Sequence, residues 1–188
     1  MNAIRKTAVD RSRTSRAWRA SFVLCATFAS AAAAAAGASL AQLPQTWHED
    51  DGRALELRTL GGHRVILTMA YANCHKICPM TIGQFERMQR ILDARGEQVD
   101  FVVVGYDPEN DRPADWRAYR RSRHLQRGNW HFLTGSRTDT ERLARRLGFE
   151  FWKYDEHVMH GQRALVIDER GAVQKELGPE TIDWTRAL

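Results

Sequence analysis

The sequence is poor in cysteine and proline and has almost no long apolar run. Three cysteines and five prolines serve 188 residues, which excludes both a disulfide-dense scaffold and a proline-rich extended chain. No proline falls between Pro113 and Pro179. No internal repeat occurs, and the only low-complexity segment is an alanine run near the start, so solenoids and arrays are excluded as well. Beyond residue 41 there is no surplus of either charge. The first 41 residues carry Arg5, Lys6, Arg11, Arg13, Arg16 and Arg19 against Asp10, which accounts for the whole net charge of +5. The remainder is balanced, so the sequence pI near 9.4 is no argument for nucleic acid.

What is there begins with a leader. A basic region to Arg19 precedes an uncharged stretch from Ala20 to Ala41, the pattern of an export signal. Ser39-Leu40-Ala41 puts small residues at signal-peptidase spacing, which predicts a mature start at Gln42 and a periplasmic protein. The competing expectation is an uncleaved anchor holding the domain to the outer face of the inner membrane, since about 22 uncharged residues suffice to span a bilayer. The stretch is mostly alanine, and only Phe22, Val23, Leu24, Phe28 and Leu40 are strongly apolar, so insertion is marginal. Cys25 follows Leu24 rather than a small residue, a poor lipoprotein site. The leader has no adjacent arginine pair, which argues against twin-arginine export. Residues 1–41 are thus expected to be a signal peptide or anchor, and residues 42–188 one domain.

The exported part is organised around Tyr71-Ala-Asn-Cys74-His-Lys-Ile-Cys78-Pro79-Met80. The run Val65 to Tyr71 before it is almost all apolar, as in a strand covered on both faces. After it, Ile82, Phe85, Met88 and Leu92 recur at helical spacing, with Pro79 suited to the first helical position and Gly96 to the position past the end. The cysteines therefore belong to a strand-to-helix turn, where α/β sheets place reactive groups and where a helix start favours thiolates.

The other elements follow in order. Gln42 to Gly52 is polar, with Trp47 free to tuck against the body, and Ala54 to Leu60 suggests a short strand. Val99 to Tyr106 reads as a second buried strand. Asp107 and Asp111 are expected to cap the next turn and helix, which Pro113 opens. That helix is arginine-rich (Arg112, Arg117, Arg120, Arg121, Arg123, Arg127), either a solvated face or a dock for an acidic partner or anionic lipid. Trp130 to Gly135 reads as a strand, and Thr138 with Glu141 as the capping box of a helix closed by Gly148. Phe149 to Tyr154 is expected to be a strand, Arg163–Asp168 and Ala172–Leu177 a β-hairpin, and the residues after Gly178 a short helix. The order β-α-β-α-β-α-β-β predicts a thioredoxin-like α/β domain, a mixed sheet flanked by helices with a C-terminal β-hairpin.

Three residues separate the cysteines, one more than in a thioredoxin-type pair. That spacing permits a disulfide, and it also opens a bite for a metal between two thiolates, which select Cu(I) or Zn. A third ligand must come from elsewhere. All seven histidines (His48, His63, His75, His124, His131, His157, His160) lie beyond the leader. His157 and His160, just before the hairpin, are the best placed, while His75 sits inside the cysteine turn and competes for metal.

Four motifs in order, Cys74-x-x-x-Cys78-Pro79, Asp107-Pro-x-x-Asp111-x-Pro113, Trp130-x-x-Leu133-Thr134-Gly135, and His160 eight residues before Asp168, resemble the SCO/SenC family of copper-binding, thioredoxin-like proteins that assist cytochrome c oxidase assembly. The resemblance implies Cys74, Cys78 and His160 as copper ligands, with Cys74 and Cys78 also the redox pair. It departs at His75, where the family usually has proline, and at Gly161, usually small and hydroxylated. It implies a monomeric carrier of Cu(I) or Cu(II) rather than a turnover enzyme, its partner the copper-bearing oxidase subunit with its binuclear copper site, with other copper carriers or thiol reductants also in contact and no nucleic acid. The alternative is a thiol–disulfide oxidoreductase, in which Cys74 attacks a partner's disulfide and Cys78 resolves it. Thiol peroxidase chemistry has no specific support in the sequence.

Overall fold

The computed structural model describes residues 39–43, 46–74, 77–155, 157–181 and 183–188. Residues 1–38 of the expected leader, and His75, lie outside the described residues. Among the described residues nine strands and three α-helices follow in the order β1 (Thr46–Glu49), β2 (Ala54–Glu56), β3 (Arg64–Ala70), α1 (Ile77–Arg95), β4 (Val99–Gly105), α2 (Pro113–Ser122), β5 (Trp130–Thr134), α3 (Arg137–Leu147), β6 (Phe151–Tyr154), β7 (His157–His160), β8 (Ala164–Ile167) and β9 (Val173–Leu177).

Seven strands form one sheet in the order β2-β1-β5-β4-β3-β8-β9, and β6 and β7 form a separate two-stranded ribbon. The centre, β5-β4-β3, is parallel, and the flanks are antiparallel. Every residue of β4 is buried, as is all of β3 after Arg64, which is why these strands are continuous apolar runs rather than alternating ones. Ile82, Phe85, Met88 and Leu92 of α1 pack with Trp116 and Tyr119 of α2 on one face; Leu143, Ala144 and Leu147 of α3 join Trp47 on the other. This is the thioredoxin-like mixed sheet flanked by helices that the element order predicts.

The differences have local causes. Thr46–Glu49 is a strand rather than a polar lead-in, because Trp47, fully buried, lies over Gly135 at the end of β5. A Cβ at Gly135 would come within 2.4 Å of the Trp47 ring, so glycine there is what admits the indole. The cap of α3 is Ser136, whose Oγ accepts from the Asp139 amide at 3.1 Å, two residues ahead of the expected Thr138. Leu40, on the leader side of the expected boundary at Gln42, is packed into the body as Leu43 is. Leu40 and Leu43 are both 2% exposed, and the Leu40 amide donates to the Gly171 carbonyl at 2.8 Å in the β8–β9 turn. After β9 a 3-10 turn, Trp184–Ala187, buries Trp184 against α1. Arg120 of α2 is turned inward to Asp50 at 2.6 Å and to the Leu125 carbonyl at 2.9 Å. Arg127 pairs with Asp93, leaving Arg117 and Arg121 to the solvated face.

At the far end of β4 and β5 a charged cluster is buried. His131 Nδ1 meets Glu49 at 2.6 Å, its Nε2 faces Asp100 at 3.5 Å, and His63 Nε2 meets Asp100 at 2.6 Å. Burial works against a proton on His131, but Asp100 and Glu49 outweigh it and the imidazole stays protonated above its ordinary value of 6.5. Burial likewise works against charge on Asp100, but His131 and His63 hold its carboxyl below its ordinary 3.8. The histidine's contribution is complete below pH 6.5 and fades as pH climbs through the raised value; the aspartate's is complete above 3.8 and fades as pH falls through the lowered one. His131→Ala should therefore cost on the order of 3 kcal/mol at pH 5.5 and clearly less at pH 9, measured by urea unfolding. An equal cost at both would remove the charged pairing from the account.

Candidate metal centre

The carboxyl ends of β3 and β4 lie side by side, and both cysteines sit above them. Past Ala70 the chain turns tightly, with the Cys74 amide donating to the Tyr71 carbonyl at 3.1 Å. It then enters α1, placing Cys78 in the first helical turn. The Cys78 amide donates to Cys74 Sγ at 3.3 Å, so the first sulfur occupies the position of a helix cap, facing N–H groups with no intrahelical partner. Both cysteines are buried, at 5% and 1% exposure.

The turn is tied down from the neighbouring loop. Asp111, 1% exposed, accepts from the Ala72 amide at 2.7 Å and from the Asp107 amide at 2.8 Å. Gly105 leaves room for that side chain, since a Cβ there would meet Asp111 Cβ at 2.8 Å. Burial pushes the Asp111 carboxyl up to about 7 against the opposing pull of the two amides. The helix cap expected of Asp111 belongs instead to Arg112, paired with Asp115; Asp111 joins the loop after β4 to the cysteine turn. Asp107 does hold its own turn, accepting from Asn110 Nδ2 at 2.8 Å.

His160 arrives at the end of the ribbon. Its Nε2 stands 3.4 Å from Cys78 Sγ, and its Nδ1 is 2.9 Å from the Gly161 carbonyl. A carbonyl only accepts, so Nδ1 carries the proton and the Nε2 lone pair is aimed at the sulfur. The contact uses the backbone of residue 161, so glycine in place of a hydroxylated residue does not remove it. Tyr71 meets the imidazole edge-on at 5.8 Å between centroids, and Tyr106 packs on it at 4.8 Å, backed by Phe151. Tyr71 opens the cysteine stretch without a role assigned to it there, and neither Tyr106 nor Phe151 stands out in the sequence as part of a site.

Ligand atoms of Cys74, Cys78 and His160 all lie within 4.8 Å of one another. Two bonds of about 2.3 Å span nearly that distance, so a soft ion closes the cluster with small shifts. The hydrogen bond with Cys74 and then burial push the Cys78 thiol far above its usual range. The thiolate-favouring helix start thus serves Cys74 geometrically, while Cys78 keeps its proton until something displaces it. Burial and then the neighbouring Cys74 raise Tyr71 to about 12, so its hydroxyl stays neutral.

The remaining candidates fall elsewhere. His157 is on the opposite face of the ribbon from His160, since three positions separate them along β7. Asp168 closes the β8–β9 turn, accepting from the amides of Arg170 and Ala172 and from Gln174. It fixes the hairpin that follows the histidine and takes no place in the cluster.

The family model for SCO1/SenC matches residues 34–186. The SCO1 protein homolog of Bacillus subtilis (strain 168) is 28% identical over 137 residues, 71% of each chain. Among solved structures, Arabidopsis thaliana ScoI with copper bound aligns with a TM-score of 0.67 at 24% identity, over 77% of this chain and 89% of that one. At that identity the likeness speaks for the fold. BsSco, a member of the Sco family of cytochrome c oxidase assembly proteins in which a disulfide switch was identified, aligns with a TM-score of 0.66 at 26% identity, over 76% of this chain and 84% of its own. Among the described residues no helix is long and apolar enough to cross a membrane.

Proposed function

Because the chain belongs to the SCO1/SenC family, we propose that it is an exported copper carrier that loads the binuclear copper site of cytochrome c oxidase. The observation that carries this is the convergence of Cys74, Cys78 and His160 within 4.8 Å. Two sulfurs suit Cu(I), and the imidazole nitrogen adds the donor that Cu(II) prefers. Copper is the cargo. It displaces the Cys78 proton on entry, and it leaves by exchange of these three ligands for those of the acceptor. The copper-bound Arabidopsis relative and the assembly role of the family of BsSco support the reading.

Thiol exchange is the second reading, favoured by the N–H bond from Cys78 to Cys74 Sγ and by the disulfide switch of BsSco. There the Cys74 thiolate attacks one sulfur of a partner's disulfide and expels the other as a thiolate. Cys78 then attacks Cys74 in the mixed disulfide, releasing the partner reduced while this chain becomes oxidised. The seating of Leu40 in the body weighs against cleavage just after Ala41. We take the domain to include Leu40 and the leader to act as an anchor or to be cut further upstream.

Cells lacking this chain should assemble oxidase depleted in copper, with activity recovered on expressing the parent chain. Oxidase of unchanged copper content and activity in those cells would end the copper-delivery reading.

A further inference from the structure

The β6–β7 ribbon has a second face that the buried cluster does not use. In the register Trp152 lies opposite Met159, and Tyr154 opposite His157; these four side chains share the face turned away from His160. Trp152 is 59% exposed, Tyr154 69% and Met159 43%, and His157 is exposed too. An indole, a phenol and a thioether together in water are costly without a use.

We propose that this face is a second, surface site for a monovalent soft cation, Cu(I), held by Met159 Sδ and the His157 imidazole beneath the Trp152 ring. Met159 and His157 are two apart on one strand, so both reach the same side, roughly 7 Å apart at the backbone, within the span of two such side chains meeting on one ion. Thioether and imidazole are ligands for Cu(I), which tolerates low coordination. Trp152 is the directly opposed residue, about 5 Å away at Cβ, where its ring face lies over a cation bound to the sulfur. The four residues of this face bear no carboxylate, so magnesium and calcium, which demand oxygen donors, find nothing to bind. The site is open to solvent and adjoins the strand end bearing His160, so it suits transient acceptance of the ion rather than storage. It stands independently of whether the buried cysteines carry copper.

Silver(I), a soft monovalent ion that air does not oxidise, is the probe, used in the dark without added reductant. The full chain with Cys25→Ser, Cys74→Ser and Cys78→Ser should bind one Ag(I), with quenching of tryptophan fluorescence and a shift of the Met159 methyl signal in carbon-13 methionine spectra. Trp152→Phe should abolish the quenching, which separates it from Trp18 and from Trp47, Trp116, Trp130 and Trp184, buried in the body. His157→Ala and Met159→Leu should each weaken Ag(I) about tenfold or more. If the triple serine chain is misfolded, the second equivalent of Ag(I) on the Cys25→Ser chain gives the same readout, the first being taken by Cys74 and Cys78. Undiminished affinity in both ribbon variants, or a shift confined to the Met80 methyl, overturns the site. So does a Trp152 signal that ignores Ag(I), and the exposed face is then a docking surface for another protein. Loss of the first equivalent alone would instead count against the buried centre.

Discussion

Oxidising Cys74 and Cys78 to a disulfide should remove copper binding at the buried centre, lowering affinity at least a hundredfold, about 2.7 kcal/mol. The sulfurs of a disulfide carry no charge and offer a metal almost nothing. The reduced chain should take one ion there, and its affinity should rise with pH by about tenfold per unit for each proton displaced. The sign follows from Cys78, whose thiol is pushed well above its ordinary range by its bond with Cys74 and by burial. Acid favours the thiol and opposes the ion. Isothermal titration of copper into reduced and oxidised chain, repeated in buffers of different ionisation enthalpy, counts the protons released. Equal copper uptake by both forms would exclude thiolate ligation.

Replacing His160 by alanine should separate the two copper states. Cu(I) is held by two sulfurs alone, whereas Cu(II) needs the nitrogen donor and is prone to reduction on bare thiolates. Cu(II) affinity should drop at least tenfold, about 1.4 kcal/mol, with a far smaller change for Cu(I) and an undiminished ability to form the Cys74–Cys78 disulfide. The variant should also fail to support oxidase maturation if copper transfer is the task, yet succeed if thiol reduction suffices. His157→Ala, on the opposite face of the ribbon, should leave Cu(II) at the buried centre unchanged. His75→Ala completes the set. Full Cu(II) affinity in His160→Ala with a loss in either companion would move the third ligand to that companion.

Much of this was legible in the sequence, and what was not has a common cause. The buried parallel strands announce themselves because both faces are covered, and α1 because one face is; the turn between them carries the cysteines. Proline and glycine mark the helix ends at Pro113, Gly96 and Gly148, whereas Pro79 stands two residues inside α1, which begins at Ile77. The elements that escaped are short and half polar. Thr46–Glu49 has one buried aromatic, and beside the short neighbouring β2 it pairs with the distant Leu133 and Thr134 of β5. The sign of it lies in Gly135, which makes room for Trp47, and close approach of that kind is invisible to periodicity. His157–His160 is four residues long and pairs only with β6. Asp111 looked like a helix cap because aspartate often is one; its true partner, the Ala72 amide, lies in another loop. The aromatics around His160 come from three elements, β6 and the residues just after β3 and β4, so no local pattern groups them.

The separation of the ribbon from the seven-stranded sheet bears on how easily each ligand can be given up. Cys74 and Cys78 are rooted where β3 meets α1, between strands whose opening would approach global unfolding. His160 hangs on a two-stranded unit that shares no rung of the ladder with that sheet. A local fluctuation of the ribbon needs to break its own few hydrogen bonds, its packing on Tyr106 and Tyr71, and the seating of Val158 and Phe151 at the edge of the core, without opening the sheet. The imidazole can therefore leave and return as a subglobal opening while the sulfurs stay in register, a free-energy hierarchy among the three ligands written into the topology rather than into their chemistry.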